Sequence, residues 1–399
     1  MSLKALSSFI LKISCVLFLA LTVLEIKAQS RSPILSSKAE VSLLTCSPGD
    51  EVYSLFGHSA MRVHDPKNDF DIVFNYGTFT FNDEFTYNFV MGKLNYKLGL
   101  EPFDNGRYSF VEAYAGRGRG VTEQILNLDS TQKQKLFDFL NFNARPENRE
   151  YRYDFFYDNC SSRIRDIVEN NSGGKVVFID LKEPENPSFR DIIDKYGIYG
   201  PWIDFGIDLG LGMSCDKEIS SREYVFLPDY LMDAFDKATI NGKPLVKETI
   251  ELSNAKERSA PFNITDPQPL AWLLFGVVAI LSAFEWRKKT LFKAIDVAFL
   301  LVFGAVGALV FFLWFFTEHT ATNNNLNILW AWPTHWIALG FIWFGKPRRA
   351  YFKVYGAVMF ITALCFWFLP QGMHPATLPL ILLALVRSIS NVRFEKLTA

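Results

Sequence analysis

Histidine and cysteine are scarce in this 399-residue chain, with five of each. No Cys/His pair stands at metal-ligand spacing, so neither a metal nor another cofactor is expected. Charge of one sign is absent as well: 41 Lys and Arg against 42 Asp and Glu leave a formal net charge of −1. A chain so balanced carries no electrostatic footprint for nucleic acid. There is no internal repeat and no long low-complexity tract. The few cysteines also exclude a disulfide framework.

What the chain does have is apolar mass, unevenly placed. It is 49% hydrophobic and 16% aromatic, and long enough for a sizeable core plus a membrane domain. Residues from about 30 to 262 are soluble in character, whereas from Leu270 onward Phe, Trp, Leu, Val and Ala dominate. At the start, Lys4 and Lys12 precede the apolar stretch 15–24, and Ala28 offers a small residue before a cut. This pattern reads as a signal peptide at 1–28. Cys15 makes a poor lipobox cysteine, because the apolar core follows it. An exported domain at 29–262 and a transmembrane domain at 263–399 then complete the chain. Cys15 would leave with the signal peptide and Cys365 lies in an apolar segment, so Cys46, Cys160 and Cys215 remain outside. An odd number in an oxidising compartment leaves at least one thiol free, and a Cys46–Cys215 bridge would make that thiol Cys160.

Five apolar stretches follow, at 270–284, 295–316, 328–344, 352–369 and 378–386. Spanning takes ~20 apolar residues; the second and fourth fit well, and the fifth, with Pro379 inside it, is weakest. Basic residues punctuate alternate ends: Arg287, Lys288, Lys289 and Lys293, then Lys346, Arg348, Arg349 and Lys353, then Arg387, Arg393 and Lys396. The loops 317–327 and 370–375 carry no Lys or Arg. The positive-inside rule places the basic loops and the C-terminus in the cytoplasm and residues before the first span outside, in agreement with the signal peptide. The loop 317–327, rich in Asn and opened by Glu318 and His319, then faces the exported domain, where it is either a solvated turn or a holder of a lipid headgroup or substrate backbone. Trp330 and Trp332 read first as interfacial anchors.

In the exported half, an opening strand at 39–45 is followed by turn chemistry at Ser47-Pro48-Gly49-Asp50, a strand at 52–63 and another at 70–76. Shorter β pieces include 96–98 and 121–126. Residues 131–141 carry a helical apolar pattern with Leu136, Phe137 and Leu140 on one side, and a short helix at 160–169 begins after the N-cap candidates Asp158 and Asn159. Strands first and helices last suggest an α+β domain. Cys160 at that helix start is favoured as a thiolate by the N–H groups and dipole of the first turn. His58, on the preceding strand, is a candidate base, and Asp71 and Asn75, the polar members of a neighbouring antiparallel strand, are candidates to orient its ring, Asn75 being preferred. Arg62 and Arg163 have the chemistry to bind phosphate, although structural ion pairing is their commoner use. The bland readings are a buried cysteine and a satisfied core histidine.

Taken together, His58, a polar residue on the next strand and Asn159-Cys160 at a helix start resemble circularly permuted papain-like enzymes, a group that includes lecithin:retinol acyltransferase. The sequence is more similar still to the Lnb family of Bacteroidota. The similarity is carried by Cys46-Ser47-Pro48-Gly49, Phe56-Gly57-His58-Ser59-Ala60-Met61-Arg62, Asn75-Tyr76-Gly77-Thr78-Phe79 and Tyr157-Asp158-Asn159-Cys160-Ser161-Ser162-Arg163, with Asn325-Leu326-Asn327-Ile328-Leu329-Trp330 and Pro333 in the apolar half. The resemblance implies an α+β permuted papain-like (NlpC/LRAT-like) periplasmic domain followed by an all-α transmembrane bundle of about five helices in the inner membrane. It implies a cysteine-dependent lipoprotein N-acyltransferase, with Cys160 as nucleophile, His58 as base and Asn75 third, and no cofactor. A membrane phospholipid would be the acyl donor and a diacylglyceryl lipoprotein the acceptor. Arg62, Asn159, Arg163, Glu318 and His319 are the candidate substrate contacts. The competing readings are a membrane-anchored cysteine amidase or peptidase acting on cell-wall peptides, and a non-catalytic envelope sensor.

Overall fold

The computed structural model describes residues 32–79, 83–179, 186–345 and 347–394; the expected signal peptide lies outside them. Strands β1 (Glu40–Cys46), β2 (His58–Asp65), β3 (Phe70–Thr78), β4 (Asn95–Pro102), β5 (Val121–Leu126) and β6 (Glu150–Arg152) join the strand Val246–Ser253 in one sheet. Its order is Val246–Ser253, β5, β1, β2, β3, β4, β6, and each neighbouring pair is antiparallel. Side chains alternate across a strand, and β1 buries both sets. Val41 and Leu43 pack with Met61, Val63 and Phe74 under the helices, whereas Leu44 and Cys46 pack with Ala60, Val73 and Phe110 on the other face. Double coverage explains why even the polar Ser42 and Thr45 of β1 are buried.

The expected strand at 52–63 starts later than its composition suggests. Residues Val52–Ser54 form a 3-10 turn with Val52 and Tyr53 exposed, and the chain reverses at Gly57, where φ is +84°. A side chain there would also bring a Cβ to 2.9 Å from the Cys46 carbonyl oxygen. β2 therefore begins at His58, which puts the histidine at the strand's mouth. The helix Ser130–Asn143 is closed at its start by a capping box of Asp129 and Gln132, and it buries Leu136, Phe137 and Leu140 against the sheet.

The C-terminal half is helical. Four helical segments among the described residues are long and apolar enough to cross a membrane: Pro267–Lys288, Lys293–Phe316, Arg349–Phe368 and Thr377–Phe394. The last is longer than expected, because Pro379 falls in its first turn, where a missing N–H interrupts no helical bond. The expected third span is instead broken. A 3-10 turn at Leu326–Leu329 is followed, past Pro333, by the nine-residue helix His335–Trp343, about 14 Å long at 1.5 Å per residue. The residue before a proline is steered away from helix. The irregular stretch is tolerated because it is wrapped in protein: Trp330 is 1% exposed, and its carbonyl accepts from the Tyr355 hydroxyl at 2.6 Å. Trp330 is thus a core residue and not the interfacial anchor the sequence suggested. Arg387, expected as a loop charge, is also buried, donating to Glu285 at 2.6 Å and Asp296 at 2.9 Å and so tying three spans together.

The two halves meet along the Asn-rich loop. Asn325 Nδ2 donates to the carbonyls of Leu209 (2.8 Å) and Gly210 (3.0 Å), and Asn327 Nδ2 to that of Asp208 (3.1 Å). These are the otherwise unsatisfied carbonyls at the end of helix Pro201–Gly210. Gln371 Nε2 adds a bond to the Leu211 carbonyl at 3.0 Å. The loop asparagines are therefore structural clamps between the N-terminal domain and the helical bundle.

Candidate active site

Cys160 is the first residue of helix Cys160–Asn171, and Asn159 caps it. Asn159 Oδ1 accepts from the N–H groups of Ser161 (2.8 Å) and Ser162 (2.9 Å), while its Nδ2 donates to the carbonyls of Phe155 (2.6 Å) and Phe226 (2.8 Å). The side chain is buried and fully engaged, so Asn159 shapes the nucleophile's turn and has no polar atom left for substrate. Ser162 completes the capping box by accepting from the Asn159 N–H at 2.9 Å.

The β2–β3 register pairs Met61 with Phe74 and Arg62 with Val73. Extending it sets Asn75 across from Ala60, diagonal to His58 on the same face, which is within reach for polar side chains. His58 Nε2–H donates to Asn75 Oδ1 at 2.6 Å, and Nδ1 is the ring atom left for the sulfur, to which His58 is hydrogen-bonded. Burial disfavours the Cys160 thiolate, but the His58 charge and hydrogen bond, the Ser59 N–H and the Ser161 hydroxyl outweigh it and hold the thiol below its ordinary value. Burial likewise pulls His58 down, yet the Cys160 charge and the bonds to Cys160 and Asn75 raise it above the usual imidazole value. Each group thus stabilises the charged form of the other, which favours a thiolate–imidazolium pair. The other exported thiols behave differently: burial pushes Cys46 up to about 12 and Cys215 to about 11. Both are free and sit in separate clusters of the core, so no Cys46–Cys215 bridge is formed.

The remaining expected contacts are held elsewhere. Arg62 grips Asp71 (2.5 Å) and Glu123 (2.9 Å) and lies over the Phe103 ring. Arg163 pairs with Asp158 at 2.6 Å and stacks on Tyr151. Both are internal ion pairs on this geometry, not waiting phosphate ligands. Glu318 and His319 lie away from the sulfur and fasten the short helix Phe85–Val90: Glu318 pairs with Arg152 and Lys93, and His319 Nε2 is 3.1 Å from the Phe89 carbonyl oxygen.

Three contributors were not visible beforehand. Glu101 on β4 accepts from Asn75 Nδ2 at 2.9 Å and from the Tyr108 hydroxyl at 3.2 Å, extending the chain Cys160–His58–Asn75 by one carboxylate. Ser59 supplies a backbone N–H, and Gly77 leaves room, since a Cβ there would stand 3.7 Å from His58 Cε1 and 3.9 Å from Cys160 Cβ. Gly77 itself, at φ +91°, was a hint that the strand is shaped for close approach.

Two family models match the chain: the Lnb N-terminal periplasmic domain over residues 30–188 and the Lnb transmembrane domain over 258–398. The chain belongs to the Lnb family. No curated protein and no solved structure matches it. In this Lnb protein the order of parts is a sheet-rich α+β periplasmic domain and then a helical membrane domain. A cysteine at a helix start, bonded to a histidine and with its own N–H in the first turn, has the parts for covalent acyl chemistry: a nucleophile, a proton carrier and one oxyanion donor.

Proposed function

We propose that this Lnb protein is a cysteine-dependent lipoprotein N-acyltransferase of the inner membrane. The observation that carries the reading is the hydrogen-bonded series Cys160–His58–Asn75 at a helix start, in a domain clamped onto a membrane bundle. Cys160 Sγ attacks an ester carbonyl of a phospholipid, and the Cys160 N–H helps hold the oxyanion. As the tetrahedral adduct collapses, the C–O bond breaks. The departing glycerol oxygen takes the proton from His58, leaving a lysophospholipid and a Cys160 thioester. The α-amine of a diacylglyceryl-cysteine lipoprotein then attacks the thioester, His58 accepts its proton, and the C–S bond breaks to give an amide and the free thiolate. Holding both substrates at one surface supports the economy of such a reaction, because proximity contributes up to ~7–11 kcal/mol at its limit. Loop charges support an orientation with the catalytic domain in the periplasm and the C-terminus in the cytoplasm.

The test is to produce wild type and Cys160→Ala in a host lacking lipoprotein N-acylation and to weigh the N-terminal peptide of one lipoprotein. One added acyl chain with wild type only, at equal protein levels, supports the transferase. No added chain with folded, membrane-inserted wild type overturns it in favour of an amidase. An added chain with both removes Cys160 from the reaction.

A further inference from the structure

One apolar feature is not used by the catalytic pair. A series of ring contacts runs from the helix Phe85–Val90, which hydrogen-bonds the end of a membrane span, to Tyr153 in the core that also packs Cys160. At the bundle end, span Lys293–Phe316 finishes with exposed Phe315 and Phe316. The next residues hold the helix Phe85–Val90: the Glu318 N–H donates to the Met91 carbonyl at 2.9 Å, and His319 meets the Phe89 carbonyl. That helix exposes Tyr87 and Phe89. Phe89 stacks on Phe85 (6.2 Å between centroids), Phe85 on Phe79 (5.2 Å), and Phe79 meets Tyr96 edge-on (5.4 Å), which in turn stacks on Tyr153 (4.1 Å). Tyr96 and Tyr153 pack on the same core as Cys160, and Phe79 stands two residues beyond Gly77, the residue that leaves space beside the sulfur.

Single exposed rings on a soluble surface need no explanation, but here exposed Phe89 leads into a file of half-buried rings. This file is hydrogen-bonded, through Glu318 and His319, to the end of an apolar span whose Phe315 and Phe316 are exposed. Beside its lower end, Lys93 and Arg152 converge on the one carboxylate of Glu318, an excess of one positive charge suited to a phosphate headgroup. We propose that the file Phe89–Phe85–Phe79–Tyr96 is an acyl-chain track, along which one fatty chain of a bilayer phospholipid lies while its ester carbonyl is offered to Cys160. The track rests on the acyl-transfer reading and specifies how its donor is held. An extended, one-chain-wide file also favours a long straight chain over a short one, since each methylene in an apolar site adds to binding.

Two measurements on the full-length protein separate the track from the chemistry. First, Cys160→Ala protein in vesicles of phosphatidylethanolamine and phosphatidylglycerol is irradiated with a phosphatidylcholine bearing a diazirine in its acyl chain, and adducts are mapped by peptide mass. Adducts on residues 79, 85–90 or 96 support the track; adducts confined to residues 267–394 overturn it, whatever the enzyme catalyses. Second, p-nitrophenyl acetate and palmitate are compared as acyl donors to Cys160 by intact mass. In Tyr87→Asn/Phe89→Asn, two exposed positions, the palmitate-to-acetate ratio should fall about tenfold. An unchanged ratio overturns the track, whereas failure of every ester to acylate wild-type Cys160 defeats the transfer reading itself.

Discussion

At the scale of single residues, the site depends on two pKa shifts of opposite sign. The Cys160 thiol is lowered and the His58 imidazole raised, because each group favours the charged form of the other. Acylation should fall toward low pH, where Cys160 is protonated, and toward high pH, where His58 loses the proton it gives to the leaving group. Iodoacetamide labelling of Cys160 should set in below the range of an ordinary thiol, ~8.5, and His58→Ala should move that onset upward. An unmoved onset would remove His58 from the pair. Asn75 acts through the ring: Asn75→Ala should lower the acylation rate by up to about a hundredfold, the scale of a misplaced catalytic group, with the labelling onset still below that of His58→Ala. Cys160 was legible from the helix start and His58 as a histidine on an expected strand, although the strand's true start at His58 was not. Asn75 was legible through strand alternation alone. Glu101 was not, because its reach to Asn75 depends on the β3–β4 register, which passes through an irregularity between Asn75 and Thr78 that no spacing rule reveals.

At the scale of elements, the caps and breaks decide where chemistry can sit. Asn159 satisfies two first-turn N–H groups and bridges to Phe155 and Phe226. Asn159→Ala should cost about 1–2 kcal/mol through the cap alone, read as a lower melting temperature, and should also slow Cys160 labelling because the turn that presents the sulfur loosens. Strand and helix positions were readable from periodicity where apolar residues faced one core, as in Ser130–Asn143. They were misread where geometry overrode composition: at 52–57, where Gly57 reverses the chain, and at 328–344, where hydropathy is uniform but Pro333 and the buried Trp330 carbonyl break the span. Charge was misread once for a similar reason. Arg387 follows an apolar run and so resembles a loop cation, yet the helix continues to Phe394 and folds Arg387 onto Glu285 and Asp296. Removing one partner of a buried ion cluster leaves charges unpaired, so Arg387→Ala should destabilise the detergent-solubilised protein by about 3–5 kcal/mol. The triple change Arg387→Met, Glu285→Gln, Asp296→Asn should recover much of that loss.

At the scale of the whole molecule, the question is how the sheet domain is held against the membrane bundle. Two kinds of contact join the halves, and they differ in strength. The Glu318–Arg152 pair is half exposed on both sides, at 50% and 49%, and exposed pairs are screened by water and salt; Glu318→Ala should leave melting unchanged. Asn325 and Asn327 are 1% and 2% exposed and satisfy helix-end carbonyls that nothing else in the clamp reaches. Buried partners of that kind are expensive to remove, because the carbonyls stay buried without a donor. The Asn325→Ala/Asn327→Ala protein should therefore keep the Cys160–His58 pair, which lies within the sheet domain, while losing its fixed position above the bundle. Acylation of Cys160 by the water-soluble p-nitrophenyl acetate should stay near the wild-type rate, and acylation from phospholipid vesicles should drop by about tenfold or more, since misplacement by an ångström is enough for such losses. Equal losses with both donors would mean that the clamp supports the catalytic domain's own fold, and the membrane bundle would then serve as an anchor with no part in presenting the lipid.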